Sequence, residues 1–201
     1  MIAYGLKVEL VSTVILVLVC RTFLKGDKQM KRITTTLLAI AFTLLPMSSV
    51  LGQEARHSFG FNSDTISGFP TGAASLTGGG AYKSATSFVR AAGSFKCTAN
   101  IAQGPLNGCQ AGEGVRWDAV ALLANTTFKC TGGASEALKT AVTDDNTVVM
   151  TADFYREGDG EEASFTAKMF VSAVDEASDF AGDQKVWIQG VGCGDAIANF
   201  N

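Results

Sequence analysis

The 201-residue chain has a single histidine, His57, and no Cys-x-x-Cys pair. Each absence removes a class of chemistry. A serine or cysteine nucleophile needs a base that orients and deprotonates it, and the lone histidine falls just after the leader described below, where chain ends usually fray. Zinc sites need closely spaced cysteine and histidine ligands. Neither a triad hydrolase nor a zinc protein is expected, and no cofactor is called for. Positive charge is also scarce once the first residues are set aside. Of 16 Lys+Arg and 19 Asp+Glu, six and two lie before Gln53, leaving 10 against 17 and a net charge near −7. Such an acidic segment repels phosphate backbones, so a nucleic-acid partner is not expected.

What is present begins with a leader. Met30-Lys31-Arg32 is a basic start, Ile33 to Leu45 is apolar apart from threonines, and Pro46, Ser48 and Ser49 break the run before Val50-Leu51-Gly52. Basic start, short apolar core and small-residue exit are the parts of a secretory signal peptide. Residues 30–52 are therefore read as the signal, with cleavage after Gly52 and a secreted or periplasmic product. The apolar run falls short of the roughly 20 residues that a spanning helix needs, so membrane contact is expected only through an uncleaved leader. Residues 1–29 carry a second apolar run, Leu10 to Cys20. They read as an over-long N-terminal extension ahead of a start at Met30; the alternative is an anchor helix near residues 8–24.

Residues 53–201 read as a single disulfide-stabilised β domain. Its four cysteines, Cys97, Cys109, Cys130 and Cys193, allow three pairings in an oxidising compartment. Cys97 and Cys109 flank Gln103-Gly104-Pro105-Leu106-Asn107-Gly108, a turn-rich stretch that folds the chain back. Pairing them leaves Cys130 with Cys193. Glycines punctuate short runs of β-branched and aromatic residues, which predicts an all-β fold: an antiparallel β-sandwich or barrel of about eight strands with one or two short helices. The strands are expected at 58–61, 74–82, 86–101, 126–131, 147–157, 163–174, 184–190 and 196–200. Val148, Met150, Ala152 and Phe154 alternate onto one face before Gly158-Asp159-Gly160, and Phe165, Ala167, Met169 and Val171 do so after it. That is a hairpin with those eight residues in the core. Trp117–Leu123 and Ser135–Val142 are the helix candidates, the second equally readable as a strand from Leu138 to Thr143. Phe95-Lys96-Cys97 and Phe128-Lys129-Cys130 each place a phenylalanine and a half-cystine on one side of a strand. Thr77-Gly78-Gly79-Gly80-Ala81 lacks the residues of a phosphate loop and predicts a bulge or bend.

Three constellations remain as functional candidates. Arg116-Trp117-Asp118 forms a candidate recognition patch, because arginine and aromatic side chains anchor partners; its other reading is an Arg–Asp pair on a loop with Trp117 in the core. Asp118, Asp153, Glu157 and Asp175 offer carboxylates for glycoside hydrolysis, which needs two at a set separation. Asp153, Glu157, Asp159 and Glu161 offer oxygen ligands for calcium, though not at EF-hand spacing. The leader, Gly114-Val115-Arg116-Trp117-Asp118, the Phe-Lys-Cys-Thr segments and the Asp153–Gly160 stretch together resemble exported bacterial proteins of unassigned function. The resemblance implies export and a compact fold, and no activity. The reading that follows is an exported, non-enzymatic binding or structural domain with an extracytoplasmic ligand or protein partner. The alternatives are a histidine-independent carbohydrate hydrolase and a calcium-stabilised surface protein. Mass spectrometry of the exported product is expected to find Gln53 at its N-terminus; a first residue upstream of Met30 would overturn the leader assignment.

Overall fold

The computed structural model describes residues 56–201; the expected signal, the extension before it and Cys20 lie outside the described residues. The strands are β1 (His57–Gly68), β2 (Ala73–Lys83), β3 (Phe88–Ala99), β4 (Arg116–Leu123), β5 (Asn125–Phe128), β6 (Lys139–Val142), β7 (Thr147–Tyr155), β8 (Phe165–Ser172), β9 (Val186–Ile188), β10 (Gly192–Gly194) and β11 (Ile197–Phe200). Every pairing among them is antiparallel. Nine strands form one sheet in the order β10-β9-β8-β7-β4-β3-β2-β1-β11, and β5 and β6 form a small second sheet. β10 also pairs with β1, Ser67 opposite Cys193 and Gly68 opposite Gly192. β11 occupies the same edge of β1 nearer its start, Phe59 opposite Phe200. The large sheet therefore closes on itself, and the expected antiparallel sandwich or barrel is closed through β1. His57 is not frayed: its ring stacks on Tyr82 at 5.3 Å, and Ser58 and Asn201 exchange main-chain hydrogen bonds of 2.9 Å.

Closure makes an inside and an outside, and side-chain alternation assigns residues to each. The β7–β8 hairpin has the predicted register, Val148 opposite Val171, Met150 opposite Met169, Ala152 opposite Ala167 and Phe154 opposite Phe165. Phe165 is half-buried and the other seven are buried, all in one interior cluster with Phe59, Phe61, Leu76, Tyr82, Phe95 and Trp117. Gly158 and Gly160 at the tip have φ of 92° and 67°, a region open to glycine at little cost. The glycine run in β2 is a correction: the register against β3 is continuous from Ala74 to Lys83, with no bulge. Of the run, Gly78 leaves room for Trp117, while Gly79 and Gly80 let the neighbouring main chains approach. A Cβ at Gly78 would lie 2.9 Å from the indole ring, and one at Gly93 2.7 Å from Nε1. The indole fills that space and donates Nε1–H to the Thr77 carbonyl at 3.1 Å.

Both expected helices are absent among the described residues, where the only helical element is a 3-10 turn at Ser84–Thr86. Trp117–Leu123 is β4, and the second candidate ends in the strand β6. β4 pairs with β3 on one side and β7 on the other, with a register shift between Ala119 and Ala121. The extra residue, Val120, slips the alternation by one, so the strand's period of two is lost from the sequence and a helical spacing takes its place.

Cysteines pair as Cys97–Cys109 and Cys130–Cys193. The first clasp holds the loop that places Ile101 and Leu106 in the interior cluster. The second joins residues 63 apart, a closure of about 4 kcal/mol on the chain-entropy model. It fastens the β5–β6 sheet to the outside of the barrel. There Phe128, Cys130 and Ala141 pack on Val149, Phe170 and Trp187, the outward residues of β7, β8 and β9. Phe128 meets Phe170 edge-on at 4.8 Å, and Trp187 donates Nε1–H to the Lys129 carbonyl at 3.0 Å.

Glu136 holds the turn beside this disulfide. Its carboxylate accepts from the main-chain N–H groups of Cys130 (2.5 Å) and Thr131 (2.8 Å), from the Thr131 hydroxyl (2.7 Å) and from Lys139 (3.2 Å). Burial opposes its charge, but these donors outweigh it and bring the pKa down from 4.5 to about 2. A carboxylate with a depressed folded pKa stabilises fully above its unfolded value and loses that contribution as pH falls toward the folded one. Glu136→Gln is therefore expected to lower stability by about 2–3 kcal/mol at pH 7 and by little near pH 2. Urea melts of both proteins across pH test this; an equal loss at both ends would refute it.

Candidate functional site

The barrel interior is occupied by side chains, and among the described residues no buried side-chain nitrogen or oxygen lacks a hydrogen-bond partner. A ligand must seat elsewhere. A cleft of about 560 Å³ opens between β3 and β4 and is lined by Arg56, Gly79–Ala81, Val89–Ala92, Asp118 and Ala119. It has a topological cause. β3 spans twelve residues, yet its ladder with β4 consists of Ser94–Arg116, Gly93–Trp117 and Ala92–Asp118. Beyond Ala92 the strands part, because the bulge at Val120 bends β4 to follow β7. The parting exposes inward positions (Gly80, Val89, Ala91 and Ala119) beside outward ones (Gly79, Ala81, Arg90, Ala92 and Asp118).

The chemistry of the cleft is simple. Glycine and alanine line its floor, so main chain is accessible there. Arg56 rests over the Phe88 ring at 5.0 Å, and Arg90 has no ion-pair partner among the described residues. Asp118 stands on the opposite wall, 3.4 Å from the Arg116 Nε. Two guanidinium groups on one side and a carboxylate on the other give an otherwise acidic molecule a local positive rim. Near this end of the barrel, Tyr82 donates to the Asp144 carbonyl at 2.5 Å. Burial and the charges of Asp144 and Asp145 push its pKa up to about 12.

The expected recognition residues divide between two faces. Trp117 is fully buried in the barrel. Arg116 and Asp118, its strand neighbours, point outward and pair with each other, and the Arg116 guanidinium stacks on Tyr155 at 4.1 Å. Only Asp118 of the three reaches the cleft. Asp118 and Asp153 are cross-strand partners on the outer face, and Asp153 accepts from Thr166 at 2.5 Å. Asp175 instead caps its own loop, accepting from the Ala177 and Gln184 N–H groups at 3.0 Å each. Glu157 and Asp159 border another cleft with Glu113 and Arg156. There Asp159 is held by Arg156 (3.2 Å) and Ser164 (2.6 Å), while Glu161 lies exposed beyond it. Among the described residues no three His, Cys, Asp or Glu side chains converge as metal ligands.

No protein-family model, no curated protein and no solved structure matches the chain. The site therefore rests on geometry alone. Arg56, Arg90 and Ala92 carry no motif, and sequence reasoning passes over them; Gly79 and Ala81 stand out in the sequence only as part of a glycine run read as a bulge or bend. The one available signal is the break in β4 alternation at Val120, visible once Trp117–Leu123 is known to be a strand. The division of faces is measurable. Trp117→Ala is expected to cost about 3–5 kcal/mol as a buried aromatic truncation. Arg116→Ala, on the surface, is expected to cost no more than about 1 kcal/mol. Urea denaturation distinguishes them, and similar costs would contradict the placement.

Proposed function

We propose that this protein is an exported, non-enzymatic binding domain whose ligand seats in the cleft between β3 and β4. The observation that carries the reading is the parting of two neighbouring strands over a filled barrel, which forms a roomy, arginine-rimmed cleft. Sites of this volume with a few convergent polar groups are the usual places for ligands. Export is supported by the signal-like residues 30–52 and by two buried disulfides, which suit an oxidising compartment. Amide chemical-shift mapping with a fragment library and soluble oligosaccharides is expected to move Gly79–Ala81, Val89–Ala92 and Asp118–Ala119. Ala92→Trp, which fills the cleft from its outer side, is expected to abolish those shifts while leaving the melting temperature unchanged. Shifts confined to Tyr155 and Lys168 would place the site elsewhere.

Carbohydrate hydrolysis by two carboxylates has one observation in its favour, the cross-strand pairing of Asp118 and Asp153. The pair sits on an outward sheet face, and each carboxylate is engaged by a neighbour, Arg116 or Thr166. Release of reducing sugar from a polysaccharide panel, abolished by Asp153→Asn, would replace the binding reading with this one.

A further inference from the structure

We infer that the occupant of the β3–β4 cleft is an extended polypeptide that adds to the open edge of β3 as an extra strand. The inference rests on the binding reading of that cleft and names its ligand class. Phe95 and Cys97 donate their N–H groups to the Val115 and Glu113 carbonyls at 3.3 and 2.7 Å, so the odd-numbered residues of β3 turn their main-chain groups toward β4. The register with β2 is unbroken from Phe88 to Cys97, and strand alternation carries the same orientation back to Ala91 and Val89. The β3–β4 ladder ends at Ala92. The Ala92–Asp118 pair takes up the Ala91 carbonyl, which accepts from the Ala119 N–H; the Ala91 N–H and both main-chain groups of Val89 are left facing the cleft with no partner on β4.

The two N–H groups, two positions apart, repeat at roughly 7 Å along the strand. An antiparallel peptide matches that repeat with its own N–H and C=O groups, and this is how strand addition gains affinity. A compact small molecule meets one of the two positions. The outward floor of Gly79, Ala81 and Ala92 leaves the approach clear of bulky side chains. Side-chain preference follows from the lining. The peptide residue beside Arg90 faces outward, toward a positive rim completed by Arg56, and is acidic. Its neighbours face inward on Val89, Ala91 and Ala119 and are small and apolar. A second copy of this chain is a poorer occupant, because two acidic molecules repel.

The test uses the disulfide-intact protein and a phage-displayed library of short random peptides. Enriched sequences are expected to alternate small apolar and acidic residues. On binding, amide exchange at Val89 and Ala91 is expected to slow at least about tenfold, the equivalent of one hydrogen bond. N-methylation of the peptide amide opposite the Val89 carbonyl is expected to weaken binding about tenfold, while methylation of either neighbouring amide changes it less than about threefold. Arg90→Glu is expected to reverse the preference from acidic to basic peptides. Peptides that bind without this alternation in N-methyl sensitivity overturn strand addition. Self-association that protects Val89 and Ala91 as concentration rises overturns it in favour of a second copy. If no peptide is enriched but oligosaccharides or fragments still shift the cleft amides, the polypeptide inference falls and the cleft reading stands; if no probe shifts them, both fall.

Discussion

The pairing of β1 with both β10 and β11 is the constraint on which the rest of the molecule depends. A nine-stranded antiparallel sheet left open would expose two edges and one apolar face. By taking β11 on its first half and β10 on its second, β1 joins the two ends of the sheet and turns the apolar face into a filled interior. It also brings the last strands onto the first described one, with Ser58 and Asn201 bonded main chain to main chain. The Cys130–Cys193 disulfide acts at the same seam, since Cys193 lies opposite Ser67 of β1. It couples barrel closure to the seating of the β5–β6 sheet outside.

That outer sheet gives the barrel two unlike sides. Over β7, β8 and β9 the outward residues Val149, Phe170 and Trp187 are covered by Phe128 and Ala141 in a second apolar cluster. Across β2, β3 and β4 the outward positions are Gly79, Ala81, Arg90, Ala92 and Asp118, and they border the cleft. The covered side is tied by a disulfide, by Glu136 and by Lys139, which reaches Asp179 at 2.9 Å and lies over Phe180 at 4.7 Å. The uncovered side carries a ladder interrupted after Ala92. Rigidity on one side and an unfinished ladder on the other suit a scaffold that presents a recognition edge.

Much of this fold was legible in the residues. Alternation of Val148, Met150, Ala152 and Phe154, a glycine-rich tip and the answering run from Phe165 to Val171 identify the central hairpin, because a half-buried strand writes its burial into every second position. The turn-rich stretch between Cys97 and Cys109 led to both disulfides, since short-range closure is a local property. β4 was not legible. Its one bulged residue shifts the alternation, and a strand of eight residues leaves too few positions to reveal the shift. The long β1 was reduced to a few residues for a related reason: Asn62, Ser63, Asp64 and Thr65 look like a loop, but Ser63 is buried and donates to the Asp195 carbonyl at 2.6 Å.

The candidate site shows the same boundary more sharply. Arg116-Trp117-Asp118 was conspicuous as a string, yet strand geometry sends Trp117 into the core and its neighbours to the surface, so adjacency in sequence became separation in space. Arg56, Arg90 and Ala92 were inconspicuous because none has a distinctive spacing, and Gly79 was noticed only within a glycine run. The sequence by itself determined the class of fold, the disulfide pairing and the faces of the regular strands, all of which depend on local period and composition. Only the tertiary structure decided that the sheet closes and that β3 and β4 part beyond Ala92. Both follow from how strands twist and bend against partners far away in the chain, which no local pattern encodes.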